Sequence, residues 1–114
     1  MVFGDGRQTR DFSFVDDIVA STRAAATARL GTERVFNIGG GSPASLRDAL
    51  ELVSALAERP FPVRYQEPER GDVRDTAADT TLARDVLGYE PTTTLSDGLA
   101  AEFTWMLHEL AQPL

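Results

Sequence analysis

The sequence predicts a small mixed α/β domain, and three observations support this fold class. The chain has 114 residues, a length typical of a single domain that spans residues 1–114. Apolar residues recur at helical spacing in some segments and in short extended runs in others, with glycine or proline between them. Four helices and two or three short strands alternate along the chain, which is too little for a full doubly wound sheet.

The first part of the chain predicts an extended piece followed by a helix. Residues 10–14 are extended, with aromatic side chains on one side. The helix has Asp16 as its N-cap, and Asp17 suits the positive end of the helix dipole. The helix continues to about Leu30, where Gly31 is its stop.

The middle of the chain predicts a strand, a glycine turn and a second helix. Residues 34–38 are a compact apolar strand candidate, and three glycines at residues 39–41 interrupt it. Ser45 caps the next helix, and Asp48 lies three residues later in a capping-box position. The glycines lack the spacing of a phosphate-binding loop, so we interpret them as a tight turn that needs glycine dihedrals.

A short strand and a short helix are predicted next. Residues 61–65 are a strand candidate at a sheet edge, because Pro62 lies inside it. After a polar irregular segment, Asp79 or Thr80 caps a short helix that Gly88 closes.

The chain then predicts a last, amphipathic helix. Leu95 and Ser96 act as its hydrophobic staple and N-cap. Its apolar stripe repeats at helical spacing and comprises Leu99, Phe103, Met106 and Leu110.

Composition excludes several classes of function. The formal net charge is −7, from 18 acidic and 11 basic side chains, so the chain repels nucleic acid. Hydrophobic residues make up 42% of the chain, which predicts a usable core, yet no apolar run is long enough to span a membrane. The absence of cysteine excludes disulfides and thiolate zinc sites and fits a cytoplasmic location.

Two charged segments are candidate binding sites. Arg10 follows a glycine-rich turn, where a guanidinium could make paired hydrogen bonds to a phosphate. Arg70, Asp72 and Arg74 lie in an irregular segment, in which the arginines could bind anionic oxygens and the carboxylate a sugar or ribose hydroxyl. The alternative for both segments is a solvated surface. No residue is predicted to be catalytic or to bind a metal, since His108 is the one histidine.

Several segments together resemble one known family, in the order in which that family has them. They include Arg-Asp-Phe within residues 2–19, the glycine turn after residues 35–38, Arg-Gly-Asp-Val-Arg at residues 70–74, and Leu-Gly-Tyr-Glu-Pro at residues 87–91. The pattern resembles the extended short-chain dehydrogenases/reductases of the NAD-dependent epimerase/dehydratase kind, such as UDP-glucose 4-epimerases. The resemblance covers nearly the whole chain and corresponds to the family's C-terminal substrate-binding part.

The resemblance implies roles for the candidate residues. Arg10 matches an arginine that contacts the nucleotide diphosphate, and Asp72 matches an aspartate that contacts a sugar or ribose hydroxyl. Many members have one residue between the second phosphate arginine and the glycine, whereas here Arg70 adjoins Gly71. Arg74 is therefore an alternative for that role.

The resemblance also indicates what these residues lack. The family's Rossmann glycine motif and its Tyr-x-x-x-Lys pair precede the first matching segment, and this sequence, which has no lysine, contains neither. We expect a C-terminal lobe without its Rossmann sheet, which binds a UDP- or dTDP-sugar but is catalytically inactive alone. NAD is implied for full-length members and not for this chain by itself. The alternative is a non-catalytic module that forms a homo-oligomer, or binds a partner such as the missing Rossmann half, through helices which that half normally covers.

Overall fold

A computed structural model of the protein describes residues 1–32 and 35–111, and their fold is the expected small α/β arrangement of four helices with a few short strands. In chain order the elements are β1 (Val2–Phe3), β2 (Thr9–Arg10), α1 (Val15–Thr27), β3 (Ala44–Ser45), α2 (Leu46–Leu56), β4 (Tyr65–Gln66), α3 (Thr81–Leu87) and α4 (Leu95–Leu110).

The strands form two separate pairs that bring distant parts of the chain together. β1 pairs with β4 in parallel, with Val2 opposite Tyr65. β2 pairs with β3 in the antiparallel direction, with Thr9 opposite Ser45. A parallel bridge also joins Thr9 to Asp75, so β2 contacts the polar segment that precedes α3.

The predicted N-cap of α2 and the predicted start and end of α3 are confirmed. Ser45 caps α2, and it forms a complete capping box with Asp48. The N-cap of α3 is Thr80, while the Asp79 carboxylate accepts a hydrogen bond of 3.0 Å from the Thr81 N–H. Gly88 closes α3 in the left-handed region, with a φ of 65° that favours glycine.

The predicted N-cap and C-terminal end of α1 and the predicted N-cap of α4 are wrong. The N-cap of α1 is Phe14, because its backbone is extended, and Asp16 already lies inside the first turn. The helix ends at Thr27, before the predicted stop at Gly31. The N-cap of α4 is Thr94 and not Ser96, since the Thr94 hydroxyl accepts the hydrogen bond from the Asp97 N–H.

The strand predicted at residues 34–38 is also wrong for residues 35–38, and Arg34 lies outside the described residues. A strand needs a partner for its backbone hydrogen bonds, and residues 35–38 belong to neither strand pair. Of the strand predicted at residues 61–65, Tyr65 alone belongs to a strand, because the pairing with β1 begins there.

The buried core is smaller than the composition predicts. The buried apolar residues of the described part are Val2, Ala49, Ala83 and Tyr89, and no large side chain there is fully buried. Large apolar residues on α1 and α4 are instead exposed, among them Val15, Val19, Trp105, Leu107 and Leu110. The radius of gyration is 17.1 Å, whereas a compact domain of this size has about 13 Å. No described helix is both long and apolar enough to cross a membrane.

Candidate functional site

Backbone pairing places the charged segment of residues 72–76 beside β2. The Thr9 N–H donates to the Arg74 carbonyl at 2.9 Å, and the Thr76 N–H donates to the Thr9 carbonyl at 3.3 Å. The Thr9 hydroxyl also donates to Asp75 Oδ1 at 2.7 Å. These contacts set the register between two segments that are more than sixty residues apart in sequence, and Arg10 follows directly after Thr9.

The Arg10 guanidinium is held by three acceptors. Its Nη2 donates to Asp72 Oδ1 at 2.6 Å, and its Nη1 donates to the carbonyls of Thr9 and Arg74 at 2.8 and 3.3 Å. The side chains of Arg10 and Asp72 are 34% and 35% exposed, so solvent partly screens this ion pair. The pairing thus fixes where the guanidinium lies but leaves part of it accessible to an anion.

The charged pocket, a cavity of about 430 Å³, opens next to this pair. It is lined by Phe3, Gly4, Asp5, Gln8, Gln66, Glu67, Pro68, Glu69, Asp72 and Arg74. Its acidic lining residues outnumber the one arginine, and carboxylates suit the recognition of hydroxyl groups. The lining therefore combines one cation for an anionic group with several acceptors for a polyhydroxyl group.

The structure brings three of the four candidate residues together. Asp72 and Arg74 line the charged pocket, and Arg10 contacts both of them. Arg70 lies two residues before Asp72, is exposed, and is not one of the residues that line the charged pocket.

Sequence reasoning missed Asp5 and Gln8 as residues of the charged pocket. The Asp5 Oδ1 accepts a hydrogen bond from the Arg7 N–H at 2.9 Å, and its Oδ2 lies 3.6 Å from Arg74 Nη2. The Arg7 N–H, followed by the positive charges of Arg74 and Arg7, holds the pKa of Asp5 below its ordinary value. Gln8 donates from Nε2 to the Phe3 carbonyl at 2.9 Å. The glycine-rich turn was the available signal, but it does not indicate which side chains face a cavity.

Directly after β2, Asp11 belongs to a second cluster, the glycine-turn junction, which comprises Asp11, Gly39, Gly40, Ala78 and Tyr89. Asp11 Oδ2 accepts a hydrogen bond from the Ala78 N–H at 3.2 Å, and its buried Oδ1 has no hydrogen-bond partner among the described residues. The Tyr89 hydroxyl donates to the Gly39 carbonyl at 2.7 Å. Burial, with a smaller contribution from the nearby carboxylates of Asp17 and Asp11, raises the pKa of Tyr89.

The interpretation of residues 39–41 as a turn that needs glycine dihedrals holds at Gly41, where the chain bends, and close packing explains the other two glycines. Gly41 has a φ of 72°, which favours glycine. A Cβ on Gly39 would collide with Asp11 Oδ2, and one on Gly40 would collide with the Phe12 carbonyl oxygen. The chain's own atoms thus occupy the space where a side chain on Gly39 or Gly40 would lie. The described residues also contain no cluster of His, Asp and Glu that could hold a metal ion.

Asp17 anchors α1 to the segment before α4. Its side chain accepts hydrogen bonds from the Thr92 N–H at 3.0 Å, the Thr92 hydroxyl at 2.8 Å and the Thr93 N–H at 3.2 Å. Burial raises the pKa of Asp17, but the hydrogen bonds from Thr92 and Thr93 together outweigh burial and lower it. The sequence predicted a role in the helix dipole for Asp17, and the structure adds this long-range contact.

Comparison with known proteins gives consistent relatives. The family model of the NAD dependent epimerase/dehydratase family matches residues 1–39. The UDP-glucose 4-epimerase of Mycolicibacterium smegmatis is 39% identical over 100 residues, which cover 87% of this chain and 31% of that protein. The dTDP-glucose 4,6-dehydratase of Streptomyces griseus is 38% identical over 106 residues, or 91% of this chain and 32% of that protein.

A solved structure has the same arrangement of elements. UDP-glucuronic acid 4-epimerase from Bacillus cereus, in complex with UDP-glucuronic acid and NAD, superposes with a TM-score of 0.87 at 35% identity. The match covers 95% of this chain and 35% of that structure's chain. The chain thus spans about a third of the length of these relatives.

Proposed function

Because the chain belongs to the NAD-dependent epimerase/dehydratase family and matches the C-terminal part of its members, we propose that it binds the diphosphate of a nucleotide sugar. The ligand class follows from relatives that act on UDP- and dTDP-sugars. The observation that carries the proposal is the charged pocket, where Arg74 and Asp72 line one cavity and Arg10 is bound to Asp72.

The proposed roles follow from the position of each side chain. Arg74 faces the cavity and binds a phosphate oxygen, and Arg10 adds a second guanidinium behind the Asp72 carboxylate. Asp72 uses its second oxygen to accept a hydrogen bond from a sugar or ribose hydroxyl. Arg70, exposed in the same segment, contributes a positive charge near the ligand without lining the cavity.

The proposal also includes that this chain alone is inactive and binds no NAD. Hydride transfer requires a bound nicotinamide and an acid/base group near the reacting carbon. These 114 residues contain no Tyr-x-x-x-Lys pair and no Gly-x-Gly-x-x-Gly motif for a dinucleotide. In full-length members NAD supplies the hydride chemistry, and we expect such a protein to work in the cytoplasm, in keeping with the absence of cysteine.

A UDP titration of the 114-residue chain tests the proposal. Each charge-assisted hydrogen bond contributes about 1.5–3 kcal/mol, and association costs part of that sum in lost freedom of the ligand, so two or three such bonds give a Kd of about 1 mM. Arg10→Ala should weaken UDP binding about ten-fold or more, because it removes one guanidinium and leaves Asp72 without its partner. NMR chemical shifts or calorimetry report the Kd.

Arg84→Ala is the matched control, since it removes an exposed arginine on α3 that does not line the charged pocket. Its Kd should equal that of the unaltered chain. Micromolar UDP binding that survives Arg10→Ala would contradict the proposed roles, and tight NAD binding by the chain would contradict the expected lack of cofactor binding.

A second candidate function is supported by the exposed apolar residues. Trp105 is 61% and Leu110 is 77% exposed on α4, and Val15 is 62% exposed on α1. Apolar surface of this kind mediates association in many proteins, so the chain could form homo-oligomers or bind a separate Rossmann half. Light scattering after size exclusion tests the first case, and a strict monomer at high concentration counts against it.

A further inference from the structure

Two arginine–carboxylate ion pairs are present at the charged pocket, and they differ in how firmly they hold the arginine. Arg10 and Asp72 are 2.6 Å apart, about one third exposed, and supported by two further carbonyl acceptors. Arg74 and Asp5 are 3.6 Å apart, and their side chains are 65% and 53% exposed. Arg10 is thus held in place, whereas among the described residues Arg74 has one weak side-chain partner, which a stronger anion can replace.

We propose that Asp5 is a positioning residue that holds Arg74 at the charged pocket and competes with the ligand's phosphate for it. This inference rests on the proposed function and adds a residue that lowers the affinity of the charged pocket for a nucleotide diphosphate. It predicts that removing the negative charge of Asp5 strengthens the binding of nucleotide diphosphates.

The geometry of the turn gives Asp5 this role. Gly4 and Gly6 have φ values of 71° and 74°, and between them Asp5 Oδ1 accepts the hydrogen bond from the Arg7 N–H. One oxygen therefore accepts a hydrogen bond within the turn, while Oδ2 lies 3.6 Å from Arg74 Nη2 and both residues line the cavity. The hydrogen bond from the Arg7 N–H and the arginine charges lower the pKa of Asp5, so its carboxylate is ionised at neutral pH and at mildly acidic pH.

The chemistry of the competing groups decides the direction of the effect. The guanidinium of Arg74 can bind two phosphate oxygens at once. A diphosphate also carries more negative charge than the exposed Asp5 carboxylate, which lies 3.6 Å from Arg74. A nucleotide diphosphate must still release Arg74 from Asp5 and approach a lining that contains three more carboxylates, those of Glu67, Glu69 and Asp72. Asp5 opposes ligand binding in both ways.

Asp5→Asn tests the inference, with UDP as the probe. Asparagine keeps the acceptor oxygen for the Arg7 N–H and removes the charge, so the turn stays intact. The Kd for UDP should fall about two- to five-fold, the range of one exposed ion pair, and the gain should shrink at high salt. Asp85→Asn, which makes the same charge change on an exposed residue of α3, should leave the Kd nearly unchanged. Thermal unfolding of both variants verifies that they fold.

A double-mutant cycle shows whether Asp5 acts through Arg74. In an Arg74→Ala background, Asp5→Asn should no longer change the Kd for UDP, because the residue it competes for is gone. A persisting gain would mean that Asp5 acts only through general repulsion, and it would overturn the positioning role. A loss of affinity in Asp5→Asn would mean that Asp5 contacts the ligand directly, which overturns the inference as well.

The two proposals fail in different ways. If the unaltered chain binds UDP and Arg10→Ala weakens it, but Asp5→Asn changes nothing, the inference is wrong and the proposed function stands. If neither the unaltered chain nor Asp5→Asn binds UDP at a UDP concentration of about 10 mM, ten times the expected Kd, both proposals are overturned.

Discussion

The charged pocket and the glycine-turn junction involve two adjacent residues, Arg10 and Asp11, yet different interactions hold the two regions together. In the junction, Tyr89 is 5% exposed and its hydroxyl donates to the Gly39 carbonyl, while a Cβ on Gly39 would collide with Asp11 Oδ2. In the charged pocket, the contacts are ion pairs between side chains that are one third to two thirds exposed. Two adjacent residues thus serve different ends: close packing determines the position of Asp11, whereas charge determines the partners of Arg10.

This difference means that stability and ligand binding should respond to separate sets of substitutions. Close packing tolerates no extra atom, so junction variants should lower the free energy of unfolding. Exposed ion pairs contribute little to stability, so pocket variants should change ligand affinity while the fold persists.

The largest expected effect is that of Gly40→Ala in the junction. Its Cβ would collide with the Phe12 carbonyl oxygen, which is backbone and cannot rotate away. The free energy of unfolding should fall by about 1–3 kcal/mol, as for other overpacked sites, and urea denaturation followed by circular dichroism measures it. Ser42→Ala, an exposed position next to the same turn, is the control and should stay near the unaltered chain. A stability loss equal to that of the control would show that the junction yields easily.

Asp17→Asn should have the next largest effect, because the Asp17 carboxylate accepts three hydrogen bonds and an amide cannot accept them all. The expected loss is about 2 kcal/mol at pH 7. The folded-state pKa of Asp17 is lowered, so its contribution is present above the ordinary pKa of about 3.9 and is lost as the pH falls through the folded value.

Unfolding experiments across this pH range separate Asp17 from its exposed neighbour. Asp16→Asn changes the same charge in the same turn of α1 at an exposed residue, and it should leave the free energy of unfolding at pH 7 nearly unchanged. If Asp17→Asn kept the acid-dependent loss of stability in full, the carboxylate would not be its source.

The smallest effect on stability is expected for Asp72→Asn in the charged pocket. The ion pair with Arg10 is about one third exposed on both sides, so the loss of unfolding free energy should stay below about 1 kcal/mol. UDP affinity should nevertheless change, because the variant alters how Arg10 is held. A destabilisation as large as that of Gly40→Ala would remove the distinction between the two regions.

Local signals in the sequence predicted some elements well and others poorly. Ser45 with Asp48 is a local start signal and Gly88 is a local stop signal. The start of α2 and the end of α3 lie where these signals predict. The strand predicted at residues 34–38 failed for its described residues because pairing depends on distant partners, which hydrophobic pattern alone does not reveal. The N-caps of α1 and α4 were misplaced by two residues, since several neighbouring side chains could serve as caps.

The candidate site was predictable in its residue types and not in its geometry. Arg10, Asp72 and Arg74 were identified from charge and from the family resemblance, and the structure brings them together. Asp5 and Gln8 were missed because a turn signal does not indicate which side chain will face a cavity.

The sequence by itself determined the class of fold, the four helices and the family, because these depend on local periodicity and on short motifs in a fixed order. Tertiary structure alone decided which residues meet. The β2 pairing at Thr9 brings Arg10 to Asp72 and Arg74. Because Gly39 and Gly40 have no Cβ, Asp11 and Phe12 can pack against them. The glycine-rich turn at residues 4–6 places Asp5 near Arg74. Such contacts join segments far apart in the chain, so they arise from backbone pairing and close packing rather than from any local preference.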